Sequence, residues 1–591
     1  MARYAGVTDD DILAGLDDAQ RAAVTQVRGP LCVLAGAGTG KTRVITRRIA
    51  YGVSSGTFSP GRVMAVTFTA KAAGEMRGRL RALGVSGVSA RTFHAAALAQ
   101  LNHFWPIVAQ GPAPTIVDSK VRLLAQAASS IGLQPDGTTL RDVASGIEWR
   151  KVTMRSVDAY AAERPNGVGS LDVGAVRDLQ LAYERLKDER HQIDFEDVLL
   201  ACAGMIEAEP RVAHAVREQY RHFTVDEFQD VSALQHRLLE LWLGERRDLC
   251  VVGDANQTVY TFAGADAGFL LGFERRHPDA VVIRLERNHR SAQPVLDVAN
   301  ALMRGRPGAL ELRAARELEA PVPRLVRYDD DAHEAAGVAA AVRAQLAAGI
   351  DPRRIAVLYR AHAQSAELLG AFAEAGIAVT VLGGTRFFDQ PEVRQAVMAL
   401  RAASVAPLES SFQDSVRDVL RSLGLTDDPP PAGGALRDAW EARRAVLALA
   451  EEMPADTTLR AFTDTLMARA RDQHEPALAT VTFATLHAAK GLEWDHVHLV
   501  GLAEGQLPIS YARTFDEIDE ERRLAYVGIT RAARTLSLSW APGLGRSPRQ
   551  RSRFLQEIGS RTLDEQPARA RSVGPSRGAG ARSGPSARRR T

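Results

Sequence analysis

Short apolar runs that end in polar loops recur along the chain in two sets. The first is "LCVL" (31–34), "VMAVTF" (63–68), "HFTV" (222–225) and "LCVV" (249–252); the second is "AVVIRL" (280–285), "IAVLY" (355–359), "AVTVL" (378–382) and "HVHLV" (496–500). Helical patterns separate most of them. This alternation predicts an α/β fold with two parallel sheets. Each strand empties into a loop, and parallel sheets bind ligands at these carboxyl ends. Two helical stretches interrupt the pattern: residues 101 to about 200, with "SKVRLLAQAASSIGL" and "GAVRDLQLAYERLKDER", and 391 to about 475, with "ALRDAWEARRAVLALAEEM". Each is too long for a connection and is expected to be an inserted helical subdomain. "TDDPPPAGG" (426–434) is a loop within the second.

Composition changes this picture in three ways. A chain of 591 residues exceeds a single core, so several domains are expected, and its 46% hydrophobic and 25% charged residues are ordinary for a soluble protein. No apolar run of about 18 residues predicts a membrane span, and the acidic N-terminus "MARYAGVTDDDILAGLDDAQ" lacks the apolar core of a secretory signal. Cys32, Cys202 and Cys250 lie far apart and form no CxxC pair, which predicts neither a zinc site nor a disulfide framework and fits a reducing cytoplasm.

The net charge of +3 is nearly balanced but uneven: residues 566–591 hold seven Arg and no acid among Pro, Gly and Ser. That segment is expected to be disordered. Of the 74 basic residues only six are Lys, at positions 41, 71, 120, 151, 187 and 490. Under such a bias, lysine should persist chiefly where a guanidinium does not fit. Lys187 is expected at the surface and serves as the contrast.

"AGAGTGKT" (35–42) follows the strand "LCVL" and precedes the helical "TRVITRRIA". Strand, glycine-rich loop and helix in this order form a phosphate cradle. Gly36, Gly38 and Gly40 let the main chain of Ala35, Ala37 and Thr39 turn N–H groups toward phosphate oxygens, and the helix N-terminus adds its dipole. Lys41 is expected on the β- and γ-phosphates and the Thr42 hydroxyl on Mg²⁺. Ala35 stands where Gly is commoner, but the position needs only a small residue. A compact ammonium suits point contact with phosphate better than a planar fork. "DEFQD" (226–230) closes the strand "HFTV". Alone it reads as a solvated acidic loop. Paired with the cradle, Asp226 is expected to hold the metal ion and Glu227 to orient or deprotonate the attacking water.

The order of motifs resembles a superfamily 1 DNA helicase of the UvrD/Rep/PcrA type over about residues 16–555. The blocks are "LDDAQ" (16–20), "AGAGTGKT", "VTFTAKAAGEMRGRL" (66–80), "RTFHAAAL" (91–98), "DEFQD", "GDANQTVYTFAGA" (253–265), "RLERNHRS" (284–291), "TLHAAKGLEWD" (485–495) and "RRLAYVGITRA" (522–532). The resemblance implies two RecA-like motor domains, 1–100 with 201–283 and 284–395 with 476–560. It also implies helical insertions over 101–200 and 396–475 and a basic tail from 561. It implies that Gln20 reads adenine, Arg43 lies beside the base, Gln257 couples the γ-phosphate to DNA, Arg290 and Arg531 act as arginine fingers, and Glu493 contacts the ribose. His289 stands where Tyr is usual and would stack less extensively on adenine. DNA contacts are implied for Thr67, Phe68, Lys71, Thr92, Phe93, His94, Tyr260, Phe262, Thr485, His487 and Lys490, although core packing is an equal reading for Phe68 and Phe93. Lys490 is expected where the DNA groove meets the nucleotide site. Ala263 replaces a usual Arg, so one contact is missing.

Within the family, "FHAAALAQLNHFWP" and the compact second insertion are similar to the second UvrD-like helicase of actinobacteria. Such relatives often add an RNase-D-type C-terminal domain and a four-cysteine segment, which this chain lacks; unassisted unwinding is therefore in question. The expected function is a 3′-to-5′ helicase and translocase on single-stranded DNA and 3′-tailed duplex, using ATP and Mg²⁺, in repair or replication, with no membrane partner. Three alternatives stand beside it: a translocase that strips proteins and unwinds poorly alone, a phosphate-loop ATPase or kinase not acting on DNA, and a non-enzymatic DNA scaffold.

Overall fold

The computed structural model describes residues 8–567 apart from 383–390, 405–410, 428–434, 452, 455, 473–478 and 544–547. A six-stranded sheet is built from β1 (Leu31–Ala35), β2 (Val63–Thr67), β3 (Ser89–Thr92), β4 (His222–Val225), β5 (Leu249–Gly253) and β6 (Val281–Leu285), in the order β3-β2-β4-β5-β1-β6. Every neighbouring pair is parallel. Both faces are covered. Cys32, Met64, Val66, Phe223 and Val251 meet one core, and Leu31, Val33, Ala65, Cys250 and Val252 meet the other. This is why the strands read as unbroken apolar runs.

The run 280–285 was expected in the second sheet; it is the edge of the first. β6 pairs with β1 from Leu31↔Val281 to Ala35↔Leu285. An apolar run identifies a strand but carries no label for its sheet.

The second sheet has seven parallel strands: β7 (Arg324–Arg327), β8 (Ile355–Tyr359), β9 (Val379–Leu382), β10 (Val481–Thr485), β11 (Trp494–Leu499), β12 (Ala532–Trp540) and β13 (Asp564–Pro567). Their order is β9-β10-β8-β11-β12-β7-β13. β13 corrects the expectation of a tail disordered from 561 or 566. It pairs along β7, from Arg324↔Asp564 to Arg327↔Pro567. Main-chain hydrogen bonds suffice to add a strand to an open edge, so its polar side chains gave no signal. The seven arginines of the tail all lie beyond residue 567, outside the described residues.

Helices that position the site are α1 (Lys41–Ser54), α2 (Phe93–Val108), α3 (Lys120–Ser130), α4 (Gly137–Val152), α5 (Val173–Glu189), α6 (Phe195–Ala208) and α7 (Phe515–Ile529). α2 and α6 bury Ala97, Leu101, Val198 and Cys202 in a core of the first sheet. α3, α4 and α5 have their own core around Leu124, Ile147, Leu179 and Tyr183. Four later helices, Pro391–Ala403, Phe412–Ser422, Ala435–Glu451 and Leu459–Asp472, enclose another, which includes Leu400, Val416 and Phe462. No helix is long and apolar enough to cross a membrane among the described residues.

A knot of buried charge ties α4 and α5 to the start of α6. Lys151 Nζ lies 2.7 Å from Asp194 Oδ2 and 2.7 Å from Asp197 Oδ1. Lys187 contacts the same two carboxylates and lies 2.6 Å from Glu184. The Tyr183 hydroxyl donates to Asp194 at 3.1 Å, and Lys120 reaches Glu196 at 2.6 Å. Lys187 is therefore not a surface residue: it is 3% exposed. It faces inward because α5 turns it toward the acids that cap α6.

Candidate functional site

The glycine-rich loop is shaped by what lies against it. Gly38 and Gly40 adopt left-handed φ of 69° and 84°. A β-carbon on Gly38 would come within 2.5 Å of the Asn288 amide, and one on Gly36 within 2.4 Å of Leu312. The segment after β6 crosses the loop: Asn288 Nδ2 donates to Ala37 O at 2.7 Å, and His289 N donates to Gly38 O at 2.8 Å. Gln20 is buried, donates to Thr39 O at 2.9 Å and lies 3.2 Å from the His289 ring nitrogen, which also lies 3.3 Å from Asp17. Arg43 donates to Gly15 O at 2.9 Å. Gln20, Arg43 and His289 thus form one wall beside the cradle.

At the cradle's mouth, Lys41 Nζ lies 3.1 Å from Glu227 Oε2. Glu227 has φ 51°, a left-handed conformation that costs a non-glycine residue energy and tends to persist at functional positions. Gln229 Nε2 holds the same carboxylate at 2.6 Å. Burial pushes Glu227 up, but the ammoniums of Lys41 and Lys490 outweigh it and hold the carboxyl at about 2. Burial and the Glu227 charge push Asp226 to about 7 against the pull of Lys41.

The second sheet supplies cations. Arg531 is buried; its Nε donates to Val527 O at 3.0 Å, Nη1 to Leu492 O at 3.1 Å and Nη2 to Gln257 Oε1 at 3.3 Å. Burial and then Arg290 push it down to about 9, so it remains charged at neutral pH. Gln257 Nε2 donates to Asp254 at 2.8 Å. Arg290 pairs through Nε with Glu493 and donates to Thr530 O at 3.3 Å. Lys490 Nζ meets Asp230 Oδ2 at 2.5 Å and Gln257 O at 2.6 Å, and lies 4.9 Å from the centre of the Tyr260 ring. Burial pushes Asp230 to about 6 despite Lys490, and its Oδ1 is buried without a hydrogen-bond partner. The Lys490 head group is therefore engaged between the sheets rather than presented to a groove.

A strip of aromatic rings adjoins this core. Phe68 stacks on Tyr260 at 5.4 Å and 13°. Phe262 is 65% exposed and meets Tyr260 and His487 edge-on. Phe93 takes the core alternative of its two readings: it is 5% exposed and stacks on Trp242 at 5.8 Å. Thr67 and Thr485 are buried at strand ends, Thr92 caps α2 through Ala95 N at 3.2 Å, and Lys71 is exposed in the first turn of the helix Ala70–Ala82. His94 stacks on Phe195 at 4.0 Å, and Phe195 is 51% exposed.

The sequence as a whole matches two family descriptions. Residues 16–278 match the UvrD/REP helicase N-terminal domain, and residues 283–421 and 446–543 match the UvrD-like helicase C-terminal domain. The chain is 46% identical to the ATP-dependent DNA helicase UvrD2 of Mycobacterium tuberculosis, over 98% of this chain and 86% of that protein. The chain belongs to the UvrD-type helicase family. It is also 30% identical to UvrD1 of Mycobacterium tuberculosis over 94% of this chain, and 28% identical to PcrA of Bacillus subtilis over 93%. In this UvrD-type chain, three residues beyond the expected set stand out. Asn288 clasps the cradle, Asp230 receives Lys490, and Phe195 stacks its half-exposed ring on His94. Asp230 lay within the quoted acidic motif. Asn288 lay within the quoted block 284–291 without a role assigned to it, and Phe195 had no local signal, since its partner His94 is distant in sequence.

Proposed function

We propose that this UvrD-type helicase uses ATP hydrolysis to move 3′-to-5′ along single-stranded DNA and to open 3′-tailed duplexes during repair or replication. One observation carries the reading. Gln257, whose amide meets Arg531 of the opposite sheet, lies on the segment that leads directly into Tyr260 and Phe262. A change at the nucleotide is thereby felt at the aromatic strip.

In this reading the Gly36–Gly40 main chain and Lys41 hold the triphosphate, and Gln20, Arg43 and His289 hold the base. Among the described residues no group of three or more His, Cys, Asp or Glu could cage an ion. Thr42 and Asp226 fit Mg²⁺ bound mainly through phosphate and water, which is how this ion usually binds nucleotides. It would neutralise phosphate charge. As Lys41 turns to phosphate, Glu227 loses its strongest cationic neighbour and becomes a better base for the attacking water. Arg290 and Arg531 stabilise the charge that spreads over the γ-phosphate. Phe68, Tyr260, Phe262, His487, His94 and Phe195 offer faces on which bases stack without sequence readout, at roughly 1–3 kcal/mol each.

The test is ATP hydrolysis with and without single-stranded DNA, followed by unwinding of duplexes with 3′ or 5′ tails. Strong stimulation and opening of the 3′-tailed substrate are expected. Absence of stimulation, or opening of only the 5′-tailed substrate, overturns the reading.

A further inference from the structure

The loop that carries Tyr260 and Phe262 is held at its centre by a side chain from the other sheet. Glu520 of α7 accepts from both donors of Thr261: its Oε1 from the main-chain N–H at 3.2 Å, and its Oε2 from the hydroxyl. Thr261 begins a single 3₁₀ turn, Thr261–Ala263, whose preceding residue Tyr260 supplies no side-chain cap. Glu520 caps that turn from across the interface. Three residues along α7, Arg523 Nε donates to Thr258 O at 3.0 Å. On the opposite side, a β-carbon on Gly264 would lie 2.5 Å from Val152 at the end of α4. The turn is thus gripped between α7 and α4.

Two features argue that Glu520 has this task. It makes no ion pair among the described residues, although Arg is abundant in the chain. A carboxylate beside a strip meant for nucleic acid also repels phosphate, so it is unfavourable there unless it holds something. Its position on α7 supplies what it could hold for. The same helix ends at Ile529, two residues before Arg531, which meets Gln257. One rigid rod therefore touches the segment 257–262 at both ends, at the nucleotide side and at the aromatic side.

We propose that Glu520 and Thr261 form a positioning latch: the carboxylate fixes the Tyr260–Phe262 turn against DNA when α7 closes on the first sheet. The proposal rests on the DNA-stimulated reading above. It is tested by steady-state ATP hydrolysis against single-stranded DNA concentration for wild type, Thr261→Val, Thr261→Ser, Glu520→Ala, and Thr261→Val with Glu520→Ala. Thr261→Val and Glu520→Ala should each raise the DNA concentration for half-maximal stimulation roughly tenfold, the scale of one hydrogen bond to a charged group. Turnover without DNA should stay within about twofold, because nothing at the cradle is altered. Thr261→Ser keeps the hydroxyl and should behave as wild type. The double variant should be no worse than either single one, since both break the same contact. An unstimulated wild type overturns the functional reading and the latch with it. A stimulated wild type matched by Thr261→Val and Glu520→Ala overturns the latch alone, as do additive losses or a Thr261→Ser variant as weak as Thr261→Val.

Discussion

Two buried clusters contain five of the six lysines, and they use them in opposite ways. In the knot beside α6, Lys151 and Lys187 share Asp194 and Asp197, with Glu184 and Tyr183 completing the set. Burial pushes Asp194 up, but Lys151, Lys187 and Lys120 outweigh it and hold the carboxyl below its usual range. Between the sheets, Lys41 and Lys490 each meet one carboxylate, and Asp226 and Asp230 stay pushed up to about 7 and 6. Charge is saturated at Asp194 and unsaturated at Asp226 and Asp230. Saturated charge fixes geometry; unsaturated charge is ready to be rearranged by a charged substrate. In the knot an ammonium meets several carboxylates in a space that a guanidinium fork overfills, whereas between the sheets each ammonium is a compact point charge on a single carboxylate.

The largest expected effect separates the clusters by chemistry. Glu227→Gln and Arg290→Ala should each lower DNA-stimulated kcat by roughly 10³, with melting temperatures near that of wild type. Retention of kcat within a few-fold for either would place that residue outside the reaction. Lys151→Ala should do the reverse. It strands buried carboxylates and should lower folding stability by about 3–5 kcal/mol, read by chemical denaturation, while kcat per folded molecule changes little. A loss of turnover without a loss of stability would erase the distinction.

Smaller changes sharpen it. Lys187→Arg overfills the knot and should cost about 1–3 kcal/mol of stability. Lys490→Arg should leave stability near native and lower the ratio of stimulated to basal kcat several-fold, because coupling passes through Asp230 and the Gln257 carbonyl. Equal behaviour of the two variants would mean that lysine is kept for one reason in both places. The smallest effect is in acid. Asp194 is depressed on folding from its usual 3.8, so its stabilisation is complete above about pH 5 and is lost only as pH falls toward its lower folded value. The stability difference between wild type and Lys151→Ala, measured from pH 7 to 3, should be constant above about pH 5 and shrink below it.

The cradle was legible because its requirements are local: glycine spacing, a preceding strand and a following helix. The acidic motif was legible for the same reason once the cradle was found. Phe93 was legible only as an even choice between core and DNA, since its place depends on Trp242, far along the chain. Lys187 looked solvated because no local pattern reveals three acids gathered from α5 and the start of α6. The run at 280–285 showed a strand but not its neighbour, and the polar β13 had no alternation to reveal it. What escaped was in each case a partnership at long range.

The place of β7 has a consequence for how the molecule is made. Its neighbours are β12 and β13, the last two strands of the second sheet in chain order, so both its edges stay unpaired until those strands have been made. Roughly 200 residues separate Arg327 from Ala532, which is on the order of 10–40 s of synthesis. The first sheet waits in the same way, because β1 pairs only with β5 and β6, and roughly 210 residues separate Ala35 from Leu249. During translation each motor in turn holds one strand with both edges exposed, and those two intervals are when a nascent chain of this topology most needs protection from aggregation.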